Sequence, residues 1–91
     1  MKHAILQCSA PDGETREYAV HEELVNLGRG RQSLIEMQGW KVGREHARLS
    51  YGREGWTIED LGTLSGTWVN GSRIVRYGPL TFADQIRIGS Y

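Results

Sequence analysis

Glycine punctuates this chain more densely than any other turn-forming residue, at 12 of 91 residues against a usual share of about 7%. Between the glycines lie short stretches rich in Val, Ile, Thr, Trp and Tyr whose apolar residues recur at every second position. That period lets an extended segment bury one face and solvate the other, so the chain is patterned for strands rather than helices. The stretches are residues 3–8, 16–20, 24–28, 33–37, 47–51, 56–59, 67–69, 73–75, 80–82 and 85–88. Helix competes only at 22–25 and 33–37. Both windows are too short to hold an isolated helix, and glycines bound the second, which therefore reads as a strand.

The connections agree with strands. Ala10-Pro11-Asp12-Gly13 is a turn sequence, Tyr51-Gly52-Arg53-Glu54-Gly55-Trp56 reads as a hairpin, and Asn70-Gly71 is the strongest short turn signal in the chain. About ten short strands joined this way give an all-β sandwich or barrel. A length of 91 residues suits one small domain, 1–91, with no room for a second core. A sandwich ending at Ile88-Gly89-Ser90-Tyr91 wants one more edge strand, so the expectation is the N-terminal module of a longer protein.

Several function classes drop out. Cys8 is the single cysteine and the histidines stand apart at 3, 21 and 46, so no disulfide framework, metal site or cofactor is expected. No apolar run exceeds three residues, which predicts no membrane insertion, no signal peptide and a cytoplasmic location. Eleven Lys+Arg balance eleven Asp+Glu, which argues against a strongly basic nucleic-acid binder. The balance is uneven, however. Lys2 and Arg16 face Asp12, Glu14, Glu17, Glu22 and Glu23, whereas Arg29, Arg31, Lys41, Arg44, Arg48 and Arg53 face only Glu36 and Glu45. That second stretch is either a solvated loop region or a place to meet an anion.

Two connections are rich in glycine and polar groups: 38–46, QGWKVGREH, and 60–66, DLGTLSG. Glycine lets backbone N–H groups approach an anion, and arginine offers a planar fork to phosphate oxygens. Gly28-Arg29, then Val42-Gly43-Arg44-Glu45-His46-Ala47-Arg48-Leu49, then 59–71 with its closing Val69-Asn70-Gly71, and finally Asp84-Gln85-Ile86-Arg87-Ile88-Gly89 follow in order without obvious insertion. In that order they resemble the forkhead-associated (FHA) domain over roughly residues 24–91.

The resemblance implies an FHA-like sandwich of two twisted, mainly antiparallel sheets, ten or eleven short strands in all, whose loops at one end bind phosphothreonine peptides. It implies a protein-interaction module, not an enzyme. Carried over residue by residue, Arg29 matches the family arginine that contacts the ligand near the phosphothreonine. Gly43 stands where the family has a serine that holds phosphate, so a side-chain donor is gone while the N–H remains. Ser65 stands where the family has a peptide-clamping asparagine, and Leu64 where a threonine or serine is common. Arg44, Lys41 and Arg31 supply cationic groups in exchange. His46 and Asn70 are expected to brace the loops. Partners are then a phosphothreonine peptide or, as the alternative, an unphosphorylated protein surface or a second copy, with no nucleic acid.

Each residue also has a structural reading. For Arg29 the reading set against function is a surface ion pair with Glu45 or Glu36, and function is favoured there; Cys8 alternates with Leu6 as a small buried hydrophobe. His46 has no cysteine, serine or carboxylate in an obvious activating arrangement, and reads as structural. Trp56 and Trp68, on strand-like runs, read as core. Trp40 lies in a loop and is either offered to a partner or folded back on that loop.

Overall fold

The computed structural model describes residues 4–91 and is all-β. Its strands are β1 Ala4–Ser9, β2 Thr15–Val20, β3 Leu24–Gly28, β4 Ile35–Glu36, β5 Ala47–Gly52, β6 Gly55–Asp60, β7 Thr67–Val69, β8 Ser72–Ile74, β9 Arg76–Tyr77 and β10 Ile86–Ile88. His3, placed in the first strand by its pattern, lies outside the described residues.

The turns form as their sequences demand. Gly13, at φ 90°, closes the β1–β2 hairpin by donating its N–H to Ala10 O at 2.9 Å. Gly55, at φ 116°, completes the β5–β6 hairpin, in which Gly52 opposes Gly55. Asn70 and Gly71 both take positive φ, 52° and 85°, in the two-residue turn joining Val69 to Ser72. That handedness matches the twist of the flanking strands.

A five-stranded sheet runs β4-β3-β5-β6-β9, a three-stranded sheet β10-β7-β8, and β1 pairs with β2 alone. The β3–β4 pair is parallel and every other pair is antiparallel. The sheets therefore number three among the described residues, the hairpin and the three-stranded sheet being separate hydrogen-bonded units. All three feed one core: Val20 from the hairpin, Val25, Leu27, Leu49 and Ile58 from the five-stranded sheet, Val69 and Ile88 from the third. Each such side chain contributes about 1.5–3 kcal/mol on burial, which fixes strand register and with it the positions of the loops.

Three sequence expectations are corrected. Residues 80–82 are not a strand: Pro79 has no N–H to donate, and Asp84 Oδ2 takes the Thr81 N–H at 2.8 Å, closing a tight turn instead. The expected strand 33–37 shrinks to Ile35–Glu36, because Ser33 N–H turns back to Gly30 O at 3.1 Å. Trp68 is half-buried rather than core, with the Arg87 guanidinium 4.9 Å from its ring centroid. Trp56 does pack against the core.

Candidate functional site

Strand β3 delivers the site's first piece. A Cβ on Gly28 would stand 2.7 Å from Gly43 O and 2.9 Å from His46 N, and nearer still to Arg44 O. Only glycine lets β3 pass that close to the 42–46 backbone. The approach is then stitched together: Arg29 N–H donates to Gly43 O at 3.0 Å, Gly30 N–H to Arg44 O at 3.0 Å, and His46 N–H to Leu27 O at 2.9 Å. The Arg29 side chain adds an Nε–H bond to Val42 O. Among the described residues no carboxylate lies within 4.0 Å of Arg29, so the alternative pairing with Glu36 or Glu45 is absent there.

His46 is fully buried and joins the two loops. Its Nδ1 accepts the Gly43 N–H at 2.8 Å, so the ring proton sits on Nε2, which donates to Gly66 O at 2.8 Å, with Thr63 Oγ1 at 3.3 Å. Both ring nitrogens are thus taken up by hydrogen bonds to the two loops. The same bond corrects the expectation for Gly43, whose N–H is committed to His46 rather than left for a ligand.

The 61–66 loop hangs from Asp60. Its Oδ2 accepts the N–H groups of Gly62 and Thr63, each at 3.0 Å, and its Oδ1 accepts the hydroxyls of Thr63 and Thr67, each at 2.7 Å. Partial burial pushes this carboxyl up, but those bonds outweigh it and hold the group below its ordinary value. Thr63 Oγ1 takes the Gly66 N–H at 3.0 Å. From β8, one Arg73 Nη donates to Thr63 O at 2.9 Å and Leu64 O at 3.0 Å. Asp60 and Arg73 are the bracing residues that sequence reasoning missed. The Asp-x-x-Thr spacing was a legible signal for Asp60; Arg73 gave none, since it reaches the loop only through the β7–β8 hairpin.

The loops meet where Ser65 Oγ–H donates to Lys41 O. On this rim Arg29, Arg31, Lys41 and Arg44 are exposed, as are Trp40 and Leu64. Trp40 thus takes the outward alternative, with Lys41 Nζ 5.4 Å from its ring centroid. The structure therefore brings Arg29, Lys41, Gly43, Arg44, His46, Leu64 and Ser65 into one connected loop cluster, with Arg31 beside it in the chain. Asn70 does not join them. It sits at the far end of β7, where it donates to Asp84 Oδ1 at 2.8 Å and accepts the Gln85 N–H at 2.9 Å, so it braces the 81–85 loop instead.

Comparison with known proteins bears on the family and the fold. The FHA domain family model matches residues 25–89. FHA domain-containing protein FhaB of Mycobacterium tuberculosis is 29% identical over 68 residues, which is 75% of this chain and 44% of that protein. The chain thus spans less than half the length of that relative. Among solved structures, the FhaA FHA domain complexed with the intracellular domain of Rv3910 is 25% identical with a TM-score of 0.80, covering 97% of this chain and 92% of that one. Mycobacterium tuberculosis EmbR in complex with a low affinity phosphopeptide is 25% identical with a TM-score of 0.79, covering 94% of this chain and 22% of that one. With the family model spanning β3 to β10 and the fold shared along the chain, this protein belongs to the FHA domain family and is a protein-interaction module.

Proposed function

We propose that the rim reads a phosphothreonine-bearing peptide, with Arg29 as the principal anion contact and Arg31, Lys41 and Arg44 as auxiliary cations beside Gly43, Leu64 and Ser65. The observation that carries this reading is the group of exposed cations on backbone braced by His46 and Asp60, with no carboxylate within 4.0 Å of any of the four among the described residues. Charge-assisted hydrogen bonds are worth about 1.5–3 kcal/mol each. The EmbR complex with a phosphopeptide supports the ligand class. The chain acts as one binding domain of a longer protein, without a catalytic centre of its own, and works in the cytoplasm where kinase products are presented.

A second reading, binding of an unphosphorylated protein surface, is favoured by one observation. The Gly43 N–H and the Ser65 hydroxyl, two donors of this loop pair, are both spent inside the protein. Calorimetric titration of phosphothreonine peptides and their unphosphorylated counterparts divides the two. Arg29→Ala is expected to weaken phosphopeptide binding at least tenfold while the domain still folds. Unchanged affinity removes Arg29 from the site.

A further inference from the structure

Past β10 the chain reverses: Gly89 takes φ 58°, and the Tyr91 N–H donates to Ile88 O at 2.9 Å. This tight turn meets the 38–42 stretch of the rim at two points. The Tyr91 hydroxyl oxygen accepts the Gln38 N–H at 2.8 Å. A Cβ on Gly89 would stand 2.9 Å from Val42 Cγ2, so bare glycine backbone packs against a valine that is itself buried. Between those points the rim makes a turn of its own, the Val42 N–H donating to Gly39 O at 3.1 Å. Trp40 and Lys41 ride exposed at its tip. Both feet of the rim turn, Gln38 and Val42, therefore stand on residues 91 and 89.

The second foot also carries Arg29, whose Nε–H bonds Val42 O, so the guanidinium takes its direction from where Val42 sits. Long cationic side chains bind an anion more weakly when the backbone beneath them is free, because that freedom is lost on binding. A turn held at both feet has already lost it. The holding group is itself held, since the half-buried Tyr91 ring packs against the core. We propose that Tyr91 and Gly89 are positioning residues of the rim. Through Gln38 and Val42 they fix the turn that presents Lys41 and directs Arg29 toward the phosphate, without touching the ligand. This inference rests on the proposed function and adds two residues that lie outside both rim loops.

Tyr91→Phe isolates the contact, since it deletes one oxygen and keeps the ring. The measurements are amide hydrogen exchange by NMR, calorimetric melting, and affinity for phosphothreonine peptides and their unphosphorylated counterparts. Exchange at Gln38 and Val42 should quicken, and phosphopeptide affinity should fall about three- to tenfold, the worth of one neutral hydrogen bond. Melting should match the parent's, because the bond lies at the surface and water takes its place. A merely structural Tyr91 would lower melting and leave affinity, measured well below the melting range, unchanged. Gly89→Ala forces a methyl toward Val42 at a positive φ, and should weaken the same peptides about tenfold at a temperature where the variant is folded. Unchanged Gln38 exchange in Tyr91→Phe, or either folded variant within twofold of the parent's affinity, overturns the proposal and leaves the phosphate reading standing. If the parent binds only unphosphorylated peptides, the phosphate reading falls, and the positioning role stands or falls with whether Tyr91→Phe weakens that binding. If the parent binds no peptide, both fall.

Discussion

At the scale of single residues, Gly28 and His46 hold the site through opposite means, one by lacking a side chain and the other by burying one. A methyl group at Gly28 meets three backbone atoms rather than a yielding side chain. Gly28→Ala therefore has to push β3 away from the 42–46 segment, and overpacking of that kind costs about 1–3 kcal/mol. A lowered urea midpoint with an unchanged m-value is expected; a midpoint equal to the parent's shows that the segments separate freely. His46→Ala removes the ring that satisfies Gly43 N–H and Gly66 O inside the protein. Buried groups left unpaired cost about 1–3 kcal/mol each. For a domain this size each kcal/mol lowers the melting temperature by about 4–8 °C, so a fall of 10 °C or more is expected by calorimetry, and a fall under 3 °C contradicts the bracing role.

At the scale of elements, what the sequence made legible is what local chemistry decides. Asn70-Gly71 announces its turn because both residues must take positive φ, and Gly55 does the same for the β5–β6 hairpin. The alternation of Val25 with Leu27 and of Leu49 with Ala47 exposes the inward face of the central strands. The failures came where a distant or capping group outvotes the pattern. Leu80, Thr81 and Phe82 look extended until Asp84 takes the Thr81 N–H, and Asn70 looked like a loop brace until β7 carried it to the opposite end. Gly43, Arg44 and His46 were legible as one loop; that Gly43's N–H is consumed by His46 was not, because it depends on how the loop folds back.

The two loops can be tested as a unit. Gly43 does not occupy positive φ, and a Cβ there would crowd the Thr63 methyl at 3.3 Å and meet His46 Cα and Nδ1 at an ordinary 3.6 Å, so Gly43→Ser is tolerable if the Thr63 methyl gives slightly, and it returns a hydroxyl to the loop. Ser65→Asn returns a longer donor and acceptor at the cost of the bond to Lys41 O. Together they are expected to raise phosphothreonine-peptide affinity by about 1–4 kcal/mol, that is, a hydrogen bond to charge less the ordering of new side chains. A doubly substituted protein that melts like the parent and still ignores every phosphothreonine peptide would falsify phosphate reading and leave the unphosphorylated surface as the ligand.

For the whole molecule, a small core leaves polar networks a large share of stability, since domains of this kind stand only about 5–15 kcal/mol above unfolding. Asp60 anchors one such network, with four donors converging on one carboxylate. Its folded value lies below the ordinary 3.8, so the unfolded chain takes up the proton first. The stabilisation is therefore complete above about pH 4 and is lost as pH falls from there through the folded value. Asp84 is held low as well, chiefly by the Thr81 N–H and then by Asn70, but the residue is only half-buried, its hydrogen bonds lie at the surface, and its share is screened by solvent. Asp60→Asn keeps the shape while pointing an amide N–H₂ at one pair of donors, so it should lower the melting temperature at pH 7 by about 10 °C or more. It should also flatten the decline between pH 4 and pH 2, whereas Asp84→Asn should leave most of that decline in place. Calorimetric melting from pH 2 to pH 7 on the three proteins reads this directly. An acid limb as steep in Asp60→Asn as in the parent would show that protonation elsewhere unfolds the domain, and that the carboxylate beneath the 61–66 loop is not what holds the site together at neutral pH.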